Sequence, residues 1–148
     1  VRDLASREIY MDENAVVKAT CKHLEEQGYI ISQRLSTIER GVDTIAEDPS
    51  TGCKLLVEAK GATSSREGSP RFGKPYTQTQ VFDRVAKGVF TCFQLRAKNP
   101  DRARYRVILA VPDIRWFRSY LEPILAELKA AGIEAMFVTE SKCVRVNI

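Results

Sequence analysis

The clearest local pattern of the chain lies between Gly41 and Gly61, where apolar β-formers flank a polar cluster of turn residues. Two β-rich runs, Val42 to Ala46 and Lys54 to Lys60, flank the turn formers Asp48-Pro49-Ser50-Thr51-Gly52, a pattern that predicts a hairpin. Folding the arms symmetrically about Ser50 and Thr51 sets Asp43 opposite Glu58 and Ile45 opposite Leu56. Strand side chains alternate between faces, so Lys60 joins Glu58 on one face while Leu55, Val57 and Ala59 take the other.

Elsewhere the period is helical. Val16, Val17, Thr20, Cys21 and Leu24 gather into one arc, which predicts a helix capped by Asp12 and ended by Gly28. Glu13 falls in the middle of that arc at the first turn. The helix dipole favours a carboxylate there, yet an inward acid also needs a partner or a cation. Tyr29 to Leu35 reads as the first strand, with Ser36 to Arg40 as its connection to the hairpin.

Thr77-x-x-Gln80 is a capping box, and Val81, Phe82, Val85, Ala86, Val89 and Phe93 form the apolar face of the helix it starts. Gln78 lies at the centre of that face, whereas Gln80 points about 200° away on a wheel of 100° per residue. Arg104 to Val111 reads as a strand whose apolar end, Val107 to Val111, suits a central position covered on both faces. Asp113 is placed to cap the next helix, Ile114 to Ala131, which Pro123 should kink or divide. Glu134 to Thr139 and Val144 to Ile148 read as two further strands, the second at an edge. Residues 1–10 read as a loose arm. The deduced order is α-β-β-β-α-β-α-β, an α/β fold with a mixed sheet between helices.

The segment Gly61 to Thr77 breaks both periods. It is rich in Gly, Ser and Pro and carries Arg66, Arg71 and Lys74 with Phe72 and Tyr76. A long irregular segment in a compact domain is functional or disordered, and basic residues among aromatics suit phosphate contact and base stacking. Leaving directly from Lys60, it is a candidate nucleic-acid-contact element through Arg66, Arg71, Lys74 and Tyr76. Gln80, at the start of the next helix, joins them.

Length and composition narrow the options. At 148 residues one domain is expected, and 44% hydrophobic with 28% charged residues is ordinary for a soluble protein. No run is long and apolar enough to span a bilayer, no signal-peptide pattern opens the chain, and the first residue, Val1, reads as that of an excised domain. The four cysteines are scattered without a C-x-x-C pair, so reduced thiols and a cytoplasmic setting are expected rather than a zinc site. With His23 the single histidine, a carboxylate-metal site is more economical than a His-dependent one. The formal net charge of +4 permits a polyanionic partner without demanding one.

Directly opposed acids are unfavourable across a strand pair. Either Lys60 offsets them, or a hard divalent cation held by carboxylate and carbonyl oxygens does. Val42-Asp43 followed by Glu58-Ala59-Lys60 on two paired strands resembles the PD-(D/E)xK (restriction endonuclease-like) nuclease superfamily, nearest in pattern to its Holliday-junction-resolvase-like members. The resemblance spans roughly residues 10–112 and departs from the family pattern at Val42, where the nominal residue is Pro.

It implies a Mg²⁺-dependent DNA endonuclease, with Mn²⁺ as substitute. Asp43, Glu58 and the Ala59 backbone carbonyl would hold the ion, and Lys60 would assist the attacking water. The resemblance further implies a helix-borne acid at Glu13 that binds or neighbours the ion, Gln78 positioning the strand, and a homodimer. Two rival readings stand beside it. One is a catalytically silent nucleic-acid-binding or adaptor module on the same fold, the other a purely structural ion cluster.

Overall fold

The computed structural model describes residues 10–34, 41–64, 68, 70 and 72–148. Among these, the elements run α1 (Glu13–Glu26), β1 (Ile30–Arg34), β2 (Thr44–Glu47), β3 (Lys54–Ala59), α2 (Gln78–Lys98), β4 (Tyr105–Pro112), α3 (Arg115–Leu121), α4 (Leu125–Ala130), β5 (Ile133–Val138) and β6 (Cys143–Arg145). The expected arm before Tyr10, the end of the first strand at Leu35, its connection to the hairpin, and the loop positions Arg66 and Arg71 lie outside the described residues.

The six strands form one mixed sheet in chain order, β1 to β6. β1, β2 and β3 are an antiparallel meander, β4 and β5 run parallel to β3, and β6 returns antiparallel at the far edge. The hairpin register follows the symmetric fold-back, with Thr44 opposite Val57, Ile45 opposite Leu56 and Glu47 opposite Lys54. Asp48 fixes the turn, its carboxylate accepting from the Ser50 backbone N–H at 2.9 Å and the Ser50 hydroxyl at 2.7 Å.

α1 covers one face of the sheet. Val16, Val17, Cys21 and Leu24 bury against Leu55, Val57, Ala59, Ile108 and Ala110. Asp12 caps the helix, its Oδ1 accepting from the Ala15 N–H at 2.8 Å, and Gly28 takes the left-handed conformation just past its end. The other face is covered by α2, α3 and α4, which bury Val81, Val85, Phe117, Leu121 and Leu128 on Leu56, Val107, Leu109, Val111 and Phe137. Each such large side chain removed from water contributes about 1.5–3 kcal/mol. This two-sided cover is why β4 reads as a continuous apolar run.

Two expectations are corrected. The buried stripe of α2 is Val81, Val85, Gly88, Cys92 and Arg96, and Phe82, Ala86 and Phe93 of the expected inward face are exposed. The sheet takes only one side of a broad apolar arc, and Gly88, silent in a hydrophobic pattern, lies against Leu109 of β4. Asp113 does not cap α3, whose N-cap is Ile114 with no side-chain bond. Its carboxylate instead accepts from the Arg118 guanidinium (Nη2 to Oδ2, 3.0 Å), one turn into that helix. Pro123 does divide the segment, in a 3-10 turn over Glu122–Ile124 between α3 and α4.

Candidate functional site

The acids converge at the carboxyl end of β3, the end at which open α/β sheets place their ligands. The β2–β3 ladder stops at Thr44. Beyond it the Ala59 backbone N–H donates to Asp43 Oδ2 at 2.7 Å, so a side chain takes the place of a ladder partner. In an extended residue the carbonyl points to the same edge as the N–H, which directs the Ala59 carbonyl toward Asp43. Lys60 N–H donates across the other edge to the Ala110 carbonyl at 3.0 Å, fixing the residue after β3 to the central strand.

Lys60 Nζ lies 3.2 Å from Glu58 Oε2, both side chains nearly enclosed at 14% and 10% exposure. The lysine stem runs along α2. A Cβ built on Gly88 would meet Leu109 Cδ1 at 2.8 Å and Lys60 Cγ at 3.3 Å, so the absence of a side chain there makes room for the stem. Glu13 arrives from the other layer. Gly61, directly after Lys60, lets the start of α1 abut the backbone: a Cβ on Gly61 would overlap the Glu13 amide nitrogen. The Ala62 N–H donates to the Met11 carbonyl at 2.7 Å and staples the two segments.

Electrostatics show the four groups acting on one another. The Glu13 carboxyl is pushed up to about 7, first by burial and then by Asp43, with Lys60 opposing. Burial also raises Asp43, against the Ala59 hydrogen bond and Lys60. Glu58 is raised by burial and by Asp43, and lowered by Lys60. Three carboxyls thus share one enclosed ammonium, and all three resist ionisation. Buried charges of one sign require a counter-charge. The donors are all oxygens, the set a hard cation such as Mg²⁺ prefers. Among the described residues no group of three or more His, Cys, Asp or Glu side chains forms a metal cage. Mg²⁺ commonly takes one or two carboxylates and completes its shell with water and substrate phosphate, so Asp43, Glu58 and the Ala59 carbonyl fit that ion.

Other candidates fall differently. Gln78 is the first residue of α2, on the line of its buried stripe but exposed, and forms no side-chain hydrogen bond among the described residues. Gln80 is committed to the cap, its Oε1 accepting from Thr77 N–H at 2.9 Å. Lys74 is exposed, and Tyr76 is half-buried under the Arg84 guanidinium, 5.0 Å from its ring centroid. Arg84, not singled out by the sequence pattern, lowers the Glu13 pKa and is a second cation near the acids. Its only sequence signal is a charge on a helix that begins beside the loop. Cys92 is buried on the stripe of α2, and burial, followed by Glu58, pushes its thiol up, which removes it as a nucleophile.

A second ionic cluster lies on β5. Glu134 accepts from Arg106 Nε at 2.7 Å and from Arg145 Nε at 2.9 Å, tying β4, β5 and β6 together. It is a satisfied structural network. Among the described residues, no helix is long and apolar enough to cross a membrane. No family model, curated protein or solved structure gives a match to this chain.

Proposed function

We propose that the chain is a divalent-metal-dependent DNA endonuclease with a restriction endonuclease-like core, of the PD-(D/E)xK type. The observation that carries this reading is the enclosed meeting of Asp43, Glu58 and Lys60 at one strand end, with a carboxylate excess that a divalent cation would neutralise. The order from α1 to β4, with a three-strand antiparallel meander followed by a parallel strand, agrees with such a core.

Asp43, Glu58 and the Ala59 carbonyl hold the ion in this reading, and Glu13 stands beside it as a third acid. When bound, the ion supplies Lewis acidity at the scissile phosphate and a lowered pKa for the attacking water. Lys60, held against Glu58 and braced by Gly88, orients that water and neutralises charge on the phosphate oxygens. Gln78, exposed at the helix start, is free to contact the sugar-phosphate strand, with Lys74 nearby in sequence. The net charge of +4 favours a polyanion.

The test is nicking of supercoiled plasmid and cutting of branched DNA in Mg²⁺. Wild type is expected to cut and Asp43→Ala to be inactive. Because Asp43 also holds the Ala59 N–H, Asp43→Asn serves as a second variant that keeps an acceptor and removes the charge. Equal cutting by wild type and both variants removes Asp43 from the mechanism. DNA binding without cutting, unchanged by Mg²⁺ and by Glu58→Gln, identifies a silent nucleic-acid-binding module instead.

A further inference from the structure

The amino ends of β4 and β5 border a cavity of about 170 Å³. It lies at the opposite end of the sheet from the acids. Tyr105, on its wall, pairs with Lys54, whereas Ala110 pairs with Ala59 beside Asp43. Five residues of strand, about 16 Å, therefore separate the two places. Four cations line the cavity, Arg96, Arg102, Arg106 and Lys129, against one carboxylate, Glu134.

Arg96 comes from the last turn of α2 and is buried. Its guanidinium donates to the Tyr105 carbonyl at 3.0 Å, to the Gly132 carbonyl at 3.4 Å and to the Asn99 carbonyl. Arg102 arrives from the loop before β4 and donates to the Ala130 carbonyl at 3.2 Å. The two meet over Gly132, where a Cβ would lie 3.0 Å from both Arg102 Cζ and Arg96 Cδ. Burial first and then Arg102 hold the Arg96 pKa below its ordinary value, so the two cations oppose each other. Among the described residues neither forms an ion pair with a carboxylate. Glu134 is already held by Arg106 and Arg145.

We propose that this cavity is a binding site for the phosphate group of a small phosphomonoester. Charge sets the valence of the ligand. The carbonyl ends of α2 and α4 contribute roughly half a negative charge each, which leaves an excess of about two positive charges around the cavity. Arg145, behind Glu134, and Asp101, which acts on Arg96, offset one another. A phosphomonoester carries about −1.5 to −2 at neutral pH, and guanidinium forks match phosphate oxygens. Size sets the rest. The volume falls below the roughly 300–1,000 Å³ of sites for drug-sized ligands, so only a short organic part fits, against the Tyr105 and Ile133 wall. A phosphodiester brings one charge fewer and must leave the cavity at two ends. The inference is independent of the nuclease reading.

Amide NMR titration of the 148-residue chain in chelator and low salt tests it, with methyl phosphate as the monoester and dimethyl phosphate as the diester. Methyl phosphate is expected to shift the Arg102 and Gly132 amides saturably, and to bind at least about tenfold more tightly than dimethyl phosphate. Arg102→Gln, at an exposed position and still able to donate to the Ala130 carbonyl, should weaken methyl phosphate by about 10–100-fold with the thermal melt unchanged. Lys129→Gln, also exposed, is the second variant and should weaken it several-fold. No saturable shift, equal affinity for the diester, or affinity unchanged in both variants would each overturn the proposal. So would shifts centred on Lys60 instead, or shifts at Arg102 and Gly132 produced by duplex DNA and not by methyl phosphate.

Discussion

Lys60 Nζ and Glu58 Oε2 stand 3.2 Å apart in a nearly closed environment, so this ammonium is the immediate neutraliser of a cluster with three carboxyls. Removing one member of a buried pair usually costs about 3–5 kcal/mol. Here protonation of the acids softens the loss, and Lys60→Met, which keeps the aliphatic stem on Gly88, should cost nearer ~2 kcal/mol at neutral pH. DNA cutting should fall by about 100-fold or more. Calorimetry should find Mg²⁺ bound more tightly, since a competing positive charge is gone, and not bound by Asp43→Asn. Weaker Mg²⁺ binding in Lys60→Met would separate the lysine from the proposed ion site.

Glu13 gives a pH signature. Its carboxyl titrates at about 7 in the folded chain against 4.5 ordinarily. Below 4.5 both folded and unfolded chains carry the proton. Between 4.5 and 7 only the folded chain retains it, so the associated stability is progressively lost as pH rises through this window. Allowing for partial exposure, the loss is on the order of 2 kcal/mol. Asp43 and Glu58, also raised, contribute with the same sign. In chelator, urea midpoints should fall from pH 5 to 8, and Glu13→Gln should flatten the slope. Mg²⁺ at pH 8 should restore much of the loss, because it favours the ionised acids.

Gly88→Ala sets two effects against each other. Alanine gains about 1 kcal/mol of helix propensity. The new methyl would press on Leu109 Cδ1 and the Lys60 stem, an overpacking that costs roughly 1–3 kcal/mol. Stability should therefore drop by only ~1 kcal/mol, while cutting falls tenfold or more because Lys60 is displaced. Urea midpoints and nicking rates on the same sample check both halves. Parallel losses in the two would mean general loosening.

The two glutamines of α2 should divide cleanly. Gln80→Ala removes half of the capping box and should cost about 1 kcal/mol without changing cutting per folded molecule. Gln78→Ala leaves the melt unchanged and should raise KM or lower kcat through lost strand contact. Kinetics and thermal melts of the pair distinguish them. An inert Gln78→Ala would assign no role to that side chain.

The hairpin register was readable because Asp48 to Gly52 fixes the turn and one face is buried, so a one-residue slip would invert every side chain. The same alternation put Glu58 and Lys60 on one face. α2 was read less well for a physical reason. Its apolar arc serves two purposes, core and exposed ridge, and hydrophobicity does not distinguish them. Gly61 and Gly88 are equally silent in a hydrophobic pattern, although each admits a backbone or a lysine stem to the site. Arg84 and Asp113 needed the third dimension, since their partners come from tertiary packing.

The staple between residues 11–12 and 62–63 also bears on how this scaffold can change. Met11 pairs with Ala62 and Asp12 bridges to Thr63, while the Ala62 carbonyl accepts from the returning Tyr76 N–H at 2.7 Å. The stretch between Thr63 and Tyr76 is therefore clamped at both feet, and Asp43, Glu58 and Lys60 are positioned by contacts that precede the clamp. Inserts or grafts between those feet are insulated from the geometry that joins Asp43, Glu58 and Lys60. On the proposed nuclease reading, such a scaffold permits one chemistry to be re-aimed at new targets by exchanging a single segment.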